Sequence, residues 1–145
     1  MDCITNAANK ELHGGTGVDG AIHSQAGPLL LEENLKIVKM HGHLKVGQAV
    51  ISGGYRLPAK YIVAAVGPKL KENSTATEKQ KKELSLAYTN SLYKMRDNNL
   101  RSIAFPSIST GAYHFAKDKA CRIAVGAITN FLKKHEEVQG VPKKM

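Results

Sequence analysis

An amide side chain and a carboxylate side chain flank a glycine-rich stretch near the start of this chain. Residues 6–9 read Asn-Ala-Ala-Asn and residues 14–20 read Gly-Gly-Thr-Gly-Val-Asp-Gly, so Asn9 precedes the glycines and Asp19 lies among them. Glycine has no Cβ and tolerates positive φ, so such a loop lets backbone N–H groups approach the phosphates of a ligand. The amide can hold sugar hydroxyls, and the carboxylate can orient or deprotonate a water molecule. The pattern predicts an enzyme or a reader for a nucleotide-like ligand.

A second loop of small residues occurs late in the chain. Residues 107–115 read Ser-Ile-Ser-Thr-Gly-Ala-Tyr-His-Phe and follow a short apolar stretch that we predict to be a strand, residues 102–106. In open α/β sheets, ligands bind beyond the carboxyl ends of the strands. Each loop alone is a weak signal because glycine-rich turns are common. Together they predict a diphosphate held from both sides.

The elements that position these loops alternate between strand and helix patterns, which predicts an α/β layered fold. A capping-box spacing between Thr75 and Glu78 predicts that a long helix begins there. The helix from Lys117 shows apolar residues at three- and four-residue steps. The predicted strands are residues 3–8, 49–52, 61–67 and 102–106, and the predicted helices are residues 19–26, 28–38, 75–97 and 117–135.

The length and composition predict one globular domain without a membrane span. The chain has 145 residues, of which 42% are hydrophobic and 23% are charged, and no apolar run reaches the length that a bilayer requires. The start of the chain lacks a secretory pattern, so we expect a soluble monomer of the cytoplasm or nucleus. Cys3 and Cys121 have no metal-binding spacing, and we interpret both as reduced core residues.

The formal net charge of +9 leaves two interpretations open. Many of the lysines fall on predicted helix faces, which is typical of a solvated surface. Alternatively, the positive field gathers an anionic ligand or a nucleic acid. No basic stripe interleaved with aromatic residues supports nucleic-acid recognition, so nucleic acid is not expected as a partner.

Several of these residues have a purely structural interpretation as well. Asp19 at a helix start is commonly an N-terminal cap, and Asn9 alone is commonly a turn residue. Tyr113 fits either a core position or a lid over a ligand. His41 and His43 suggest a metal site, but no third ligand stands nearby in the sequence, so we predict neither a metal nor a cofactor.

The sequence resembles the macrodomain family, and within it the MacroD-type ADP-ribosyl hydrolases. The resemblance extends from Met1 to about Val138. The segments that carry it are NAAN at residues 6–9, GGTGVDGAIH at 14–23, GGYRLPAKY at 53–61, VGP at 66–68 and FPSISTGAY at 105–113.

The resemblance implies a three-layer α/β/α macrodomain sandwich with a mixed central sheet that holds ADP-ribose. It implies hydrolysis of ADP-ribose from the acidic side chains of mono-ADP-ribosylated proteins, and possible deacetylation of O-acetyl-ADP-ribose. Asn9 and Asp19 would be catalytic. The alternative is a binding module that recognises ADP-ribose without hydrolysing it. The implied substrate-binding residues are Ala7, Ala8, Asn9, Gly14, Gly15, Thr16, Gly17, Val18 and Asp19 in the first segment, and Ile108, Ser109, Thr110, Gly111, Ala112, Tyr113 and His114 in the second.

The domain boundaries are predicted from the same resemblance. We expect a macrodomain over residues 1–138 and a polar stub over residues 139–145. Family members usually carry an earlier strand–loop–helix unit with an aspartate for the adenine, and a later strand and helix with an aromatic residue against the same base. We therefore expect the terminal strands to be missing, adenine recognition to be weakened, and the sequence to be a fragment, an isoform or a shortened gene product.

Overall fold

The computed structural model describes residues 1–135, which form four strands and four helices. The first strand leads into two short helices, and a longer helix follows each of the last two strands. The strands are β1 (Cys3–Ala7), β2 (Ala49–Gly53), β3 (Tyr61–Ala65) and β4 (Ile103–Ala104), and the helices are α1 (Gly17–Ala26), α2 (Pro28–His41), α3 (Glu78–Asp97) and α4 (Lys117–His135). Residues 136–145, with the predicted stub and the end of the predicted domain, lie outside the described residues.

The strands form one mixed sheet in the order β2-β3-β1-β4. β1 pairs in parallel with both β3 and β4, whereas β2 runs antiparallel to β3. The carboxyl ends of β1, β3 and β4 therefore meet at one edge of the sheet. The segments that leave this edge include both glycine-containing loops.

Both faces of the sheet are covered by helices, which confirms the predicted α/β/α sandwich. Along β3, Ile62 and Ala64 contribute to the clusters beneath α1 and α2, whereas Val63 and Ala65 contribute to the cluster beneath α3 and α4. This alternation follows from the two-residue period of a strand. All four side chains are buried, so the central strands provide a rigid floor for the loops at their ends.

The start of α3 differs from the prediction. Thr77, not Thr75, caps this helix: its hydroxyl accepts from the Gln80 N–H at 3.1 Å, and Gln80 Oε1 accepts from the Thr77 N–H at 2.9 Å. The sequence contains two overlapping capping boxes, and spacing alone does not distinguish them. The predicted box at Thr75 and Glu78 is therefore wrong by two residues.

The apolar side of α4 packs into the core, as predicted, but the prediction that both cysteines are core residues holds only for Cys3. Cys3 is fully buried in β1, whereas Cys121 is exposed on α4. Both thiols are free. Cys121 follows the buried Ala120 by one residue, and a single step of about 100° along a helix turns it away from the core. The prediction of a core position is therefore wrong for Cys121. None of the helices within residues 1–135 is both long and apolar enough to cross a bilayer.

Candidate active site

A cleft of about 260 Å³ opens at the edge where the parallel strands end. One wall is the segment that links β1 to the start of α1, and the other is the loop between β4 and α4. The floor includes the residue that follows β3 by two positions, Gly67. The cleft is lined by Ala7, Ala8, Asn9, Gly15, Thr16, Gly17, Val18, Asp19, Gly67, Ser107, Ile108, Ser109, Gly111, Ala112 and Tyr113.

One oxygen of Asp19 accepts a hydrogen bond from one side chain and lies close to a second. Asn6 Nδ2 donates to Asp19 Oδ1 at 2.7 Å, and His23 Nε2 lies 3.4 Å from the same oxygen. Asn6 and Asp19 are both buried, with 1% and 6% of their surfaces exposed. The second oxygen, Oδ2, accepts no hydrogen bond from any described residue. It is therefore the atom of Asp19 available to a water molecule in the cleft.

Asn9 stands near that oxygen. A Cβ added to Gly15 would lie 3.3 Å from Asp19 Oδ2 and 3.9 Å from Asn9 Nδ2, so both side chains reach the space beside one residue that has no side chain. Asn9 Nδ2 donates to the Gly14 carbonyl at 2.9 Å, and Asn9 Oδ1 accepts from the His13 N–H at 3.2 Å. His13 Nδ1 lies 2.9 Å from the Gly14 carbonyl and 3.5 Å from Asn9 Nδ2. In the tautomer in which His13 Nδ1 donates to that carbonyl, one N–H and one lone pair of the Asn9 amide remain for a ligand.

The first turn of α1 presents unused backbone donors to the same space. Thr16 occupies the N-cap position, but its side chain makes no capping hydrogen bond. The first N–H groups of a helix have no partner within the helix, and they lie at the positive end of its dipole. Because Thr16, Gly17 and Val18 all line the cleft, this end of α1 is suited to an anionic group.

The opposite wall is anchored from below by Tyr88 on α3. The Ile108 N–H donates to the Tyr88 hydroxyl at 3.0 Å, and this hydroxyl donates to the Pro106 carbonyl at 3.2 Å. Burial raises the pKa of the Tyr88 phenol, while the hydrogen bond from Ile108 opposes the shift. The neutral phenol therefore remains both donor and acceptor and fixes the start of the loop.

The loop also contains two residues in the left-handed region. Ser109 has φ 68° and His114 has φ 63°, a conformation that non-glycine residues rarely adopt. The Phe115 N–H donates to the Ser109 carbonyl at 2.9 Å, and the His114 N–H donates to the Gly111 carbonyl at 3.0 Å, so internal hydrogen bonds hold this shape. Strained backbone of this kind is concentrated at functional sites.

Gly67 allows the two parts of the site to approach each other. A Cβ on Gly67 would overlap the Ser109 hydroxyl and would lie 2.6 Å from Ile108 Cγ2. No other residue therefore fits beneath the loop without moving it. The sequence places Gly67 at the end of a predicted strand, but only the structure shows what it contacts.

Most of the predicted site residues line the cleft, but Gly14, Thr110 and His114 do not. Gly14 lies beside the His23 ring, and its carbonyl accepts a hydrogen bond from the Asn9 side chain. The Thr110 hydroxyl donates to Ser107 and so closes the loop on itself, and His114 is exposed outside the cleft. Ser109 lines the cleft, but its hydroxyl is buried against Gly67, so only its backbone is available to a ligand.

Four other residues belong to the site although they were not predicted for it. Gly67 and Ser107 line the cleft, while Asn6 and His23 contact Asp19 from behind. The four-residue spacing of His23 from Asp19 on a helix was the available signal, because such residues are neighbours on one face.

Tyr113 lies at the mouth of the cleft and is half-buried. Burial raises the pKa of its phenol, and the carboxylates of Glu11 and Asp19 add to the shift. The hydroxyl therefore stays protonated at neutral pH and can donate a hydrogen bond. This position agrees with the lid interpretation rather than with a core position.

The two histidines considered as metal ligands lie elsewhere. His41 and His43 line a separate cavity of about 440 Å³ between α2 and α3, together with Asp97. Within residues 1–135, no group of three His, Cys, Asp or Glu side chains is placed to share a metal ion.

Comparison with known proteins identifies this arrangement. The family model described as Macro domain matches residues 5–124. An "ADP-ribose glycohydrolase MACROD2" from Xenopus laevis is 43% identical over 137 residues, which are 94% of this chain and 31% of that protein. An "O-acetyl-ADP-ribose deacetylase" from Citrobacter koseri is 44% identical over 135 residues, which are 93% of this chain and 75% of that protein.

A solved structure agrees with the fold. A mutant of a macrodomain from Oceanobacillus iheyensis, solved with ADPR, superposes with a TM-score of 0.86 at 39% identity, covering 92% of this chain and 72% of that one. The chain thus spans about a third of the MACROD2 relative and about three quarters of the two bacterial proteins.

Proposed function

This chain belongs to the macro domain family, and we propose that it is a hydrolase that releases ADP-ribose from the modified aspartate and glutamate side chains of proteins. The relatives named for ADP-ribose glycohydrolase and O-acetyl-ADP-ribose deacetylase activity support an enzyme that acts on ADP-ribose. The acetyl group of the second substrate is also joined by an ester, so one site serves both reactions.

The single observation that carries the proposal is the convergence of Asn9 and Asp19 beside Gly15. A pure binding site needs donors for the diphosphate and the sugar. It does not need a buried carboxylate with one oxygen hydrogen-bonded to the protein and the other open to the cleft. Asp19 has this arrangement, because Asn6 donates to Oδ1, His23 lies beside the same oxygen, and Oδ2 is left open. The geometry therefore favours the hydrolase over the reader.

The reaction consumes one water molecule. The water oxygen bonds to one of the two carbon atoms that flank the ester oxygen, and the bond between that carbon and the ester oxygen breaks. The products are ADP-ribose and a carboxylic acid that loses its proton at neutral pH. Asp19 Oδ2 orients the water and accepts its proton in the transition state. The remaining N–H and lone pair of Asn9 fix the sugar hydroxyls, so that the ester lies against the water.

The two loops hold the rest of the substrate. The free N–H groups at the start of α1 bind the diphosphate from one side. The backbone of the loop after β4, fixed by Tyr88 and Gly67, binds it from the other. The positive charge of the chain adds a field that attracts the anionic substrate.

Asp19→Ala tests the proposal. We expect it to reduce the release of ADP-ribose from a glutamate-modified protein by about 100-fold or more, the contribution typical of a general base. Calorimetry should show that the variant still binds free ADP-ribose, because the diphosphate loops are intact. The rate of release, measured by mass spectrometry, is the readout. Unchanged release in the variant would refute the role of Asp19. Binding without release by the unmodified chain would support the reader instead.

A further inference from the structure

A groove of about 550 Å³ continues from the cleft past Asn9. It shares Asn9, Gly67 and Tyr113 with the cleft, and its volume is typical of ligand sites, about 300–1,000 Å³. Another cavity, of about 490 Å³, adjoins the cleft at Gly15 but includes neither Asn9 nor Asp19. The groove therefore continues from the cleft on the side of Asn9.

Two lysines stand where the groove meets the cleft. Lys10 follows Asn9 directly, and Lys69 follows Gly67 by two residues. Both are exposed, both line the groove, and neither forms an ion pair with a carboxylate of residues 1–135. Lys69 Nζ lies 5.7 Å from the centre of the Tyr113 ring, at the mouth of the cleft.

The groove also contains two carboxylates. Glu11 Oε2 lies 3.9 Å from His13 Nε2, and Glu11 contributes to the raised pKa of Tyr113, so it too lies near the mouth of the cleft. Glu83 lies on α3. Neither carboxylate forms an ion pair with Lys10 or Lys69, so both ammonium groups remain available to an anion.

We propose that this groove holds the polypeptide segment whose acidic side chain carries ADP-ribose, and that Lys69 and Lys10 attract its carboxylates. The inference rests on the proposed function. If the ester lies beside Asn9 and Asp19, the protein on the other side of the ester has a path out of the cleft past Asn9, where the groove begins. The released side chain and its acidic neighbours are anions, and the unpaired ammonium groups complement them.

The expected effect is modest for each lysine. An exposed ion pair corresponds to about a 2- to 5-fold change in affinity. Lys69→Ala should weaken binding of the modified segment by this factor, and the double change Lys10→Ala with Lys69→Ala should weaken it by about 4- to 25-fold if the two add. Lys69→Glu should weaken it more than Lys69→Ala. Raising the salt concentration should reduce these differences, because exposed charges are screened.

Binding in the Asp19→Ala background tests the proposal without hydrolysis of the probe. Calorimetry compares free ADP-ribose with an acidic peptide that carries ADP-ribose on glutamate. The lysine changes should weaken the binding of the peptide and leave that of free ADP-ribose within about 2-fold. Lys71→Ala is the matched control, because Lys71 is exposed two residues further on and does not line the groove; it should change neither affinity.

Two results would overturn the proposal. Equal weakening of both ligands would assign Lys69 to the ADP-ribose itself, and no change in peptide binding would remove the groove from recognition. Both measurements record binding, so they remain decisive even if the unmodified chain does not hydrolyse the modified peptide. Absence of hydrolysis by the unmodified chain would refute the proposed function instead.

Discussion

Replacing Asn6 should impair catalysis without removing any residue that lines the cleft. Asn6 is 1% exposed, and its amide donates to Asp19 Oδ1 at 2.7 Å. In Asn6→Ala, this oxygen keeps only His23, at 3.4 Å, and a buried carboxylate loses a charge-assisted hydrogen bond. Such a bond contributes about 1.5–3 kcal/mol. If the orientation of Asp19 depends on it fully, the same energy corresponds to a roughly 10- to 150-fold loss in kcat.

The stability and the rate should both fall, and the affinity for ADP-ribose should change little. At roughly 4 °C per kcal/mol for a domain of this size, Tm should fall by about 6–12 °C. Asn34→Ala is the matched control, because Asn34 is 2% exposed and donates a neutral hydrogen bond to the Leu12 carbonyl, outside the cleft. It should lower Tm by a smaller amount and leave kcat within about 2-fold.

Asn6→Asp separates positioning from general damage. The introduced carboxyl group would face Asp19, and the negative charge of Asp19 would raise the pKa of the introduced group. In its protonated form this group can again donate a hydrogen bond to Asp19. A raised pKa means that the folded protein binds a proton that the unfolded chain has lost, so the variant should gain stability and activity as pH falls toward 5. Measurements of kcat and Tm between pH 5 and 8 provide the readout. A kcat for Asn6→Ala equal to that of the unmodified chain, or a pH profile for Asn6→Asp parallel to it, would refute the positioning role.

The remaining predictions concern the floor of the cleft and the two thiols. Gly67→Ala should weaken ADP-ribose binding by at least 10-fold and lower the free energy of unfolding by about 1–3 kcal/mol, because its Cβ would displace Ser109 and Ile108; Gly126→Ala, which meets no atom within 4 Å on α4, should instead raise stability by up to about 1 kcal/mol. Calorimetry and chemical denaturation give both values, and a harmless Gly67→Ala would contradict the close approach. Iodoacetamide should alkylate the exposed Cys121 quickly and Cys3 only on unfolding, because burial raises the pKa of the Cys3 thiol to about 11. The same shift predicts that stability falls as pH rises from about 9 toward 11, since the unfolded chain loses this proton first; rapid alkylation of Cys3 in the folded protein would show that its environment is wrong.

Local patterns predicted the elements and the two loops. Glycine-rich segments after apolar strands, and apolar residues at helical spacing in α4, depend on neighbours in the sequence. The parallel pairing of β1 with β3 and β4 then brings the loops to one edge. Asn9 and Asp19 could be assigned to one site from the sequence because they flank the same glycine-rich segment and match the residues of the family that the sequence resembles.

Contacts between distant residues could not be predicted in the same way. The bond from Asn6 to Asp19 joins a strand to a helix, and the approach of Gly67 to Ser109 joins segments that lie far apart in the sequence. Spacing does not encode either contact. Overlapping signals gave the other errors, since two capping boxes share the same stretch before α3, and small helix residues such as Cys121 are compatible with either face of α4.

A titration of ¹⁵N-labelled protein with ADP-ribose, followed by NMR, tests the central claim most directly. The ligand should shift the backbone amide signals of Gly15, Val18, Ile108 and Gly111 and the side-chain amide of Asn9, since these groups line the cleft between the two loops. Signals from the cavity around His41 and Asn90 should stay unchanged. Shifts concentrated at that second cavity, or shifts confined to one loop with Asn9 unaffected, would contradict the claim that both loops hold the ligand against Asn9 and Asp19.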